Sequence, residues 1–397
     1  MTYSMEYNMA ILDLPSNPNF SSGPCAKRPG WTSSNIDNAL LGRSHRSKDC
    51  LLKIQKVITE TKDILNIPKD YKIAIVGGSD TGAFEMAMWS LLGLKPIDIL
   101  AWESFGRDWV KDVIDELKIP NTSLIEADYG KLPDLESVNF ENDVIFTWNG
   151  TTSGVKVPNG DWISPNRMGL TLCDATSAVF AMEIPWKKLD VTSFSWQKVL
   201  GGEAQHGILV MSPRAINRLE KYTPSWPIPK LFRLANKGKV QDKIFNGSTI
   251  NTPSMMCIED VLDSLIWVRN IGGLEAMINR SSNNLKAIEK WEKENNWIEF
   301  LAKDKSFRSS TSICLRIIDE WFINKNEDER KSILNFFHEK LAIKNIAFDI
   351  NSYGSAPLGL RIWGGGTVET KDIELLLPWI NKIWLEIKNN NMEQLNA

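Results

Sequence analysis

Residues 71–94 read YKIAIVGGSDTGAFEMAMWSLLGL, an apolar run followed by a glycine-rich turn and a helical pattern. The run YKIAIV (71–76) has the length and composition of a buried strand, and the segment at 82–94 has the apolar spacing of a helix. The turn GGSDTG (77–82) therefore joins a strand to a helix. In open α/β sheets such turns lie at the carboxyl ends of strands, where ligands bind.

The same alternation of strands and helices continues to about residue 225. Further short apolar runs are IDILAW (97–102), VIFTW (144–148), LTLCDA (170–175), VTSF (191–194) and GILVM (207–211). Between the runs at 97–102 and 144–148, residues 105–117 have a helical pattern. Strands that alternate with helices predict an α/β protein with a mainly parallel, doubly covered sheet.

The alternation of strands and helices ends at about residue 253. A long helical stretch is expected over 254–294, followed by mixed segments and a last helix over 368–388. We therefore expect a large domain with the parallel sheet and a smaller C-terminal α+β domain. The expected divisions are an N-terminal arm (1–35), a large cofactor-binding domain (36–260) and a small domain (261–397).

Composition excludes several classes of protein. The 397 residues carry 46 Lys and Arg against 49 Asp and Glu, a net charge of −3, which argues against nucleic-acid binding. Five Cys without a C-x-x-C pair and three His make a metal site unlikely, and reduced thiols fit the cytoplasm. No segment approaches the roughly 18 apolar residues of a membrane span, and the N-terminus does not read as a secretory signal.

The turn at 77–82 has two interpretations. Glycines and small hydroxyl residues at a helix start expose backbone N–H groups that can bind a phosphate, but a tight turn capped by Ser79 or Asp80 would look the same. A Rossmann site is also possible, because Glu103 follows the next strand where a ribose-binding acid would lie. Ser79 stands in place of the middle glycine of that fingerprint, which weakens this alternative.

A second candidate site pairs two residues at strand ends. Asp174 ends the strand LTLCD, and Lys198 follows the strand VTSF in the same predicted sheet. A pyridoxal cofactor needs a lysine that forms a Schiff base and a carboxylate that keeps its ring nitrogen protonated. Taken alone, a strand-ending Asp is more often a turn cap, and a loop Lys is more often solvated.

Several motifs, in order along nearly the whole chain, resemble the phosphoserine aminotransferase family of class V, fold-type I pyridoxal-phosphate enzymes. They are SHRSK (44–48), GGSDTG (77–82), TTSG (151–154), DATSA (174–178), SFSWQKVLGGE (193–203), NTPSM (251–255) and GLRIWGG (359–365). The resemblance implies a fold-type I aminotransferase fold. It also implies transfer of an amino group between glutamate and 3-phosphohydroxypyruvate, by ping-pong kinetics, in serine biosynthesis and possibly in pyridoxine biosynthesis.

The resemblance also implies roles for individual residues around pyridoxal 5′-phosphate. Lys198 would hold the cofactor as an internal aldimine and act as general base, and Asp174 would bind the pyridine nitrogen. The other cofactor-binding residues would be Ser79, Asp80 and Thr81 at the phosphate, Phe105 (or the nearby Trp102) stacked on the ring, Thr151 and Gln197 around it, and Asn251 and Thr252 from the other subunit. The chain would thus be a homodimer with shared active sites. His45, Arg46 and Arg361 would bind substrate: phosphoserine, glutamate or the 2-oxo acids.

The chain departs from the bacterial pattern of that family at three positions. Thr81 stands where those members have an Arg in the phosphate loop, and Gly354 and Ser355 stand where they have a His-Arg pair. These departures indicate a divergent branch, of archaeal or alphaproteobacterial type, and leave the acceptor substrate open. Arg43, Arg46 or a nearby Lys could supply the missing charge.

Three alternatives remain. Another class V activity, of the alanine– or serine–glyoxylate type, would use the same cofactor site. A cysteine desulfurase would need a cysteine nucleophile in a mobile loop, and neither Cys257 nor Cys314 lies in a Gly/Ser-rich loop. A Rossmann-type nucleotide-dependent enzyme would leave Lys198 without a role. A non-catalytic interaction protein could use the 16 Trp as an adhesive surface, but several of them lie in helical patterns that favour packing.

Overall fold

The structure, a computed structural model, describes residues 12–236 and 238–395, so residues 1–11 of the predicted arm lie outside the described residues. The helices of the described part are α1 (Lys48–Ile64), α2 (Ser79–Leu91), α3 (Ser104–Lys111), α4 (Pro213–Lys221), α5 (Met255–Asn270), α6 (Gly273–Lys293), α7 (Glu320–Ile323), α8 (Glu327–Ile343) and α9 (Thr370–Leu395). None of them is long and apolar enough to cross a membrane.

The strands form one large sheet and three small ones. In chain order they are β1 (Lys72–Gly77), β2 (Ile97–Ala101), β3 (Thr122–Glu126), β4 (Asp143–Thr147), β5 (Asn149–Gly150), β6 (Val155–Lys156), β7 (Thr171–Asp174), β8 (Val191–Ser195), β9 (His206–Met211), β10 (Ala235–Asn236), β11 (Lys239–Val240), β12 (Ile298–Phe300), β13 (Ser312–Ile317) and β14 (Gly359–Trp363).

The large sheet has the order β1-β9-β8-β7-β4-β2-β3, and β9 alone runs antiparallel to its neighbours. Its inner strands β2, β4, β7 and β8 are buried at every residue, because apolar side chains pack on both faces of the sheet in two separate core clusters. The predicted mainly parallel, doubly covered sheet is confirmed.

Register places three strand ends side by side. Thr147 at the end of β4 pairs with Asp174 at the end of β7, which in turn pairs with Ser193 near the end of β8. The loops that follow these strands therefore meet at one edge of the sheet. The turn between β1 and α2 approaches the same edge, with Gly78 at φ +85° before the helix, a conformation that favours glycine.

The second half differs from its prediction in one respect. The helical stretch expected over 254–294 is two helices, α5 and α6, because the backbone turns at Gly272 (φ +113°) and Gly273 (φ +74°). The antiparallel sheet β12-β13-β14 then packs with α6, α8 and α9. The predicted boundary at residue 260 falls inside α5, and the division into domains remains a prediction.

Candidate active site

A cavity of about 480 Å³ lies at the carboxyl ends of β4, β7 and β8. Eight of the residues predicted for cofactor binding and catalysis line it, namely Ser79, Asp80, Thr81, Phe105, Thr151, Asp174, Gln197 and Lys198. These residues come from five separate segments of the chain, at strand ends, loops and helix starts, and the parallel strands bring them together. The predicted pair Asp174 and Lys198 thus shares one cavity.

Lys198 lies three residues after β8, in the turn that follows the strand. Its amine donates a hydrogen bond to the carbonyl oxygen of Ser22, 2.5 Å away. Burial of the ammonium lowers the pKa of Lys198, and the nearby Cys25 thiol opposes that shift. A lysine held in this way has more of the neutral amine that nucleophilic and base chemistry requires.

Asp174 is the last residue of β7 and is 4% exposed. One carboxylate oxygen accepts a hydrogen bond from the indole N–H of Trp109 (3.1 Å), and the other accepts one from the backbone N–H of Thr176 (3.0 Å). Hydrogen bonds to a carboxylate favour its charged form. Asp174 is therefore suited to hold a protonated ring nitrogen.

The start of α2 forms the opposite end of the cavity. The hydroxyl of Ser79 accepts a hydrogen bond from the amide of Gln197, 2.5 Å away, and the backbone N–H of Ser79 binds the carbonyl of Gln205. The N–H groups of Asp80 and Thr81 are in the first turn of α2, where a helix provides no acceptor of its own. With the helix dipole, such groups favour a bound phosphate.

Buried polar atoms without partners surround the cavity. Among the described residues, seven side-chain oxygens in or beside it accept or donate no hydrogen bond, those of Asp80 (Oδ1), Thr147, Asn149 (Oδ1), Thr176, Ser193, Ser195 and Gln197 (Oε1). Buried polar groups are nearly always paired in native proteins. This concentration fits a polar ligand with several hydrogen-bonding groups, and pyridoxal phosphate is such a ligand.

Of the two aromatic candidates for stacking on a ring, Phe105 faces the cavity and Trp102 does not. Phe105 lines the cavity and packs against Tyr353, with the ring centroids 5.4 Å apart and the planes at 25°. Trp102 is 1% exposed, and its indole N–H donates to the carbonyl of Val155. Of these two residues, Phe105 is therefore the one that a ligand in this cavity can contact.

Arg361 lies on β14, opposite Cys314 of β13, and does not line the cavity. Its guanidinium lies over the ring of Tyr353, 5.3 Å from the centroid. Its Nε is buried without a partner, and no carboxylate of the described residues is within ion-pair distance. Burial lowers the pKa of Arg361. A half-buried guanidinium without an acid is a suitable partner for a substrate carboxylate.

The other four predicted residues also lie outside the cavity of this single chain. His45 is buried and Arg46 exposed, both just before α1. The side chain of Asn251 lies beside Gly77, and Thr252 is exposed. Their predicted role was to reach the site of a second subunit or the substrate phosphate, and that role stays a prediction.

Segment 18–25, predicted only as part of an extended arm, also contributes to the site. The backbone N–H of Cys25 donates to the carbonyl of Gln197 (2.9 Å), and the carbonyl of Phe20 accepts from Trp363 (3.1 Å). The segment thus crosses between the loop of Lys198 and the small sheet. The small residues Ser-Ser-Gly at 21–23 could have indicated this contact, because only small residues allow the backbone to approach a side chain such as that of Lys198 closely.

Trp109 was also missed as part of the site, and Glu103 was considered only as a ribose-binding acid in the Rossmann alternative. Glu103 is 1% exposed and caps α3, accepting from the backbone N–H of Gly106 (2.7 Å). Its other oxygen accepts from the hydroxyl (2.8 Å) and backbone N–H of Thr152. Glu103 therefore joins the helix of Phe105 to the loop of Thr151. Burial raises the pKa of Glu103 to about 7.

Curated relatives cover nearly the whole chain. The phosphoserine aminotransferase of Methanosarcina mazei is 54% identical over 367 residues, which are 92% of this chain and 96% of the relative. That of Methanosarcina barkeri is 53% identical with the same coverage. No protein-family model matches the chain.

Solved structures share the fold at lower identity. A phosphoserine aminotransferase from Cytophaga hutchinsonii superposes with a TM-score of 0.77 at 20% identity, over 92% of this chain and 99% of that one. The enzyme of the same name from Bacillus circulans gives 0.74 at 17% identity, over 92% and 98%. These similarities establish the fold-type I aminotransferase architecture.

Proposed function

The chain belongs to the phosphoserine aminotransferase family, and we propose from that membership that it is a pyridoxal-phosphate-dependent transaminase. It transfers an amino group between glutamate and 3-phosphohydroxypyruvate, giving phosphoserine and 2-oxoglutarate, in serine biosynthesis. The observation that carries the proposal at the site is the placement of Lys198 and Asp174 in one cavity, ringed by buried oxygens without partners.

Three parts of the cavity match three parts of the cofactor. Asp174 would hold the ring nitrogen, Lys198 would hold the aldehyde carbon, and the start of α2 with Ser79 would hold the phosphate. Phe105 would contact the ring. When bound, the cofactor withdraws electrons from the substrate carbon that carries the amino group, so that a proton can leave that carbon.

The chain's own groups bind the substrate and move that proton. Arg361 binds the substrate carboxylate through its planar fork and so orients the Cα–H bond. With the cofactor bound, the amine of Lys198 would act as the base that takes the proton from the substrate Cα, because burial lowers its pKa and favours the neutral amine. The second half-reaction reverses these steps with the other oxo acid, which gives ping-pong kinetics.

We propose a homodimer in which each site is completed by the other subunit. Asn251 and Thr252 then bind the cofactor phosphate of the partner, and His45 and Arg46 lie near the substrate phosphate. Arg46 and Thr252 are exposed, which leaves them available to a second subunit. We also propose a cytoplasmic location, since the five cysteines are buried and free.

The acceptor is the part of the proposal with the least support in the residues. Thr81, Gly354 and Ser355 carry no charge where the bacterial members of the family have basic side chains. Arg46 is exposed and pairs with no acid of the described residues, so it is available to a substrate phosphate. A class V transaminase with an unphosphorylated acceptor is the alternative, and it would use the same cofactor site.

Absorbance spectroscopy of the full chain tests the cofactor and the substrate separately. With pyridoxal phosphate added, the visible band of the lysine-bound cofactor is expected in the wild type and absent in Lys198→Ala. Lys156→Ala is the matched control, because burial also lowers the pKa of Lys156 but the residue does not line the cavity. The control is expected to keep the band.

Addition of amino acids then identifies the substrate class. Phosphoserine and glutamate are expected to bleach the band, whereas alanine is not. Bleaching by alanine or serine alone would favour the glyoxylate-type alternative, and a wild type without a band would contradict the proposal.

A further inference from the structure

Asp80, the second residue of α2, has its side chain turned towards the centre of the cavity. The residue is 7% exposed, and its carboxyl group lies beside that of Asp174, itself 4% exposed. Its Oδ1 is buried without a hydrogen-bond partner among the described residues. An acid in the first turn of a helix usually faces solvent or caps the helix, and Asp80 does neither.

Two carboxyl groups this close cannot both be charged in a buried site. Asp174 accepts hydrogen bonds from the indole of Trp109 and the backbone of Thr176, which stabilise its charged form. At Asp80, the hydroxyls of Ser193 and Thr176 lower the pKa of the carboxyl group only in part, and its Oδ1 remains buried without a hydrogen-bond partner among the described residues. The proton of the pair therefore belongs on Asp80.

The electrostatic surroundings agree with this assignment. Burial, and then the charge of Asp174, raise the pKa of Asp80 well above its usual range. Other titratable groups near the pair are Lys198, Cys173 and Glu103, and burial disfavours the charged form of each. A protonated Asp80 also places no negative charge beside the start of α2, where the phosphate is proposed to bind.

We propose that Asp80 is a positioning residue that stays protonated, donates a hydrogen bond to Asp174, and so sets how firmly Asp174 holds the ring nitrogen of the cofactor. The inference rests on the proposed function. It assigns the side chain of Asp80 to the nitrogen end of the site, while its backbone N–H remains at the phosphate end. The bond from Asp80 fixes the orientation of the Asp174 carboxylate and disperses its charge.

Infrared spectroscopy of the full chain without added cofactor tests the proton directly. At pH 7, the carbonyl stretch of a protonated carboxylic acid is expected in the wild type and reduced in Asp80→Asn. Asp115→Asn, at an exposed position, is the matched control and is expected to leave that band unchanged. Equal acid bands in wild type and Asp80→Asn would show that Asp80 is charged and would overturn the inference.

Cofactor affinity tests the positioning role. Asp80→Asn keeps a side chain that can donate to Asp174, so its Kd for pyridoxal phosphate is expected within about threefold of wild type. Asp80→Ala removes the donor and is expected to bind about tenfold more weakly. Tight binding by Asp80→Ala, or equal weakening in both variants, would overturn the inference.

The two proposals fail in different ways. A wild type that does not bind pyridoxal phosphate contradicts the proposed function, whatever the infrared bands show. A wild type that binds it, with no acid band assigned to Asp80, leaves the function intact and contradicts this inference. If Asp80→Ala does not fold, the infrared comparison of wild type with Asp80→Asn still tests whether Asp80 is protonated.

Discussion

The amine of Lys198 donates a hydrogen bond to the carbonyl oxygen of Ser22, a residue 176 positions earlier in the chain. The N-terminal segment therefore holds the central lysine of the candidate site. The next residue, Gly23, faces the lysine so closely that a methyl group there would overlap its Nζ and approach its Cε. The glycine leaves the space that the lysine side chain occupies.

Replacement of that glycine should move the lysine without unfolding the protein. In Gly23→Ala the flexible end of Lys198 is displaced, because it is the side chain that the new methyl group meets. We expect cofactor binding and transaminase activity to fall at least tenfold, with a change in Tm no larger than in the control. Gly42→Ala is the control, because Gly42 also has a positive φ (+68°, against +157° at Gly23), but nothing lies within 4 Å of its added methyl group. Full activity in Gly23→Ala would contradict the proposed role of the segment.

Glu103 should make the stability of the protein depend on pH. Its pKa of about 7 in the folded chain exceeds its ordinary value of 4.5, because the carboxyl is buried. Between these two values the folded state binds more protons than the unfolded state, so stability falls as the pH rises. The loss from this group is about 3 kcal/mol in total.

Urea unfolding at pH 5 and pH 8, without cofactor, isolates that contribution. In Glu103→Gln the titrating group is gone, and we expect a smaller loss of stability between the two pH values than in the wild type. Glu136→Gln, at an exposed position, should follow the wild type. Parallel behaviour of wild type and Glu103→Gln would show that Glu103 does not titrate in this range.

The sequence predicted those site residues that lie at or just after the ends of strands. Asp174 and Lys198 follow neighbouring parallel strands, so the apolar runs before them already place them at one edge of the sheet. The same reasoning could not show that the side chain of Asp80 turns towards Asp174. That orientation depends on the rotation of α2 against the sheet, which no local pattern contains.

Contacts between residues that are distant in sequence could not be predicted either. Segment 18–25 meets Gln197 and Trp363 only after the chain has folded, and its own sequence predicts a loop with no partner. Strand β3 was missed for a different reason. It lies at the edge of the sheet and is largely exposed, so it lacks the continuous apolar run that marked the buried strands.

Arg361 should bind the substrate carboxylate, and substitution of Arg361 should therefore raise KM. Arg361→Lys keeps a positive charge but removes the planar fork. We expect KM for glutamate to rise about 10- to 100-fold, the cost of a charge-assisted hydrogen bond, with a smaller effect on kcat. Arg316→Lys on the neighbouring strand is the control, because Arg316 already pairs with Glu299. An unchanged KM would place the carboxylate elsewhere.

Trp109 should support the site through its indole N–H alone. The ring packs against Phe84 in the core, and the N–H donates to Asp174 at 3.1 Å. Trp109→Phe keeps an aromatic ring in the core but removes the donor, so the charge of Asp174 is less well stabilised. We expect about tenfold weaker binding of pyridoxal phosphate, since a hydrogen bond to a charged group contributes about 1.5–3 kcal/mol.

Trp379→Phe is the matched control for that substitution, because its indole N–H also donates a hydrogen bond, to the backbone carbonyl of Asp13, but neither residue lines the cavity. It should leave cofactor affinity unchanged. Titration of both variants with pyridoxal phosphate, read by the visible band and by Tm, makes the comparison. If Trp109→Phe binds as tightly as Trp379→Phe, Asp174 does not need the indole donor, and the charged form of Asp174 is maintained by Thr176 and Asp80 instead.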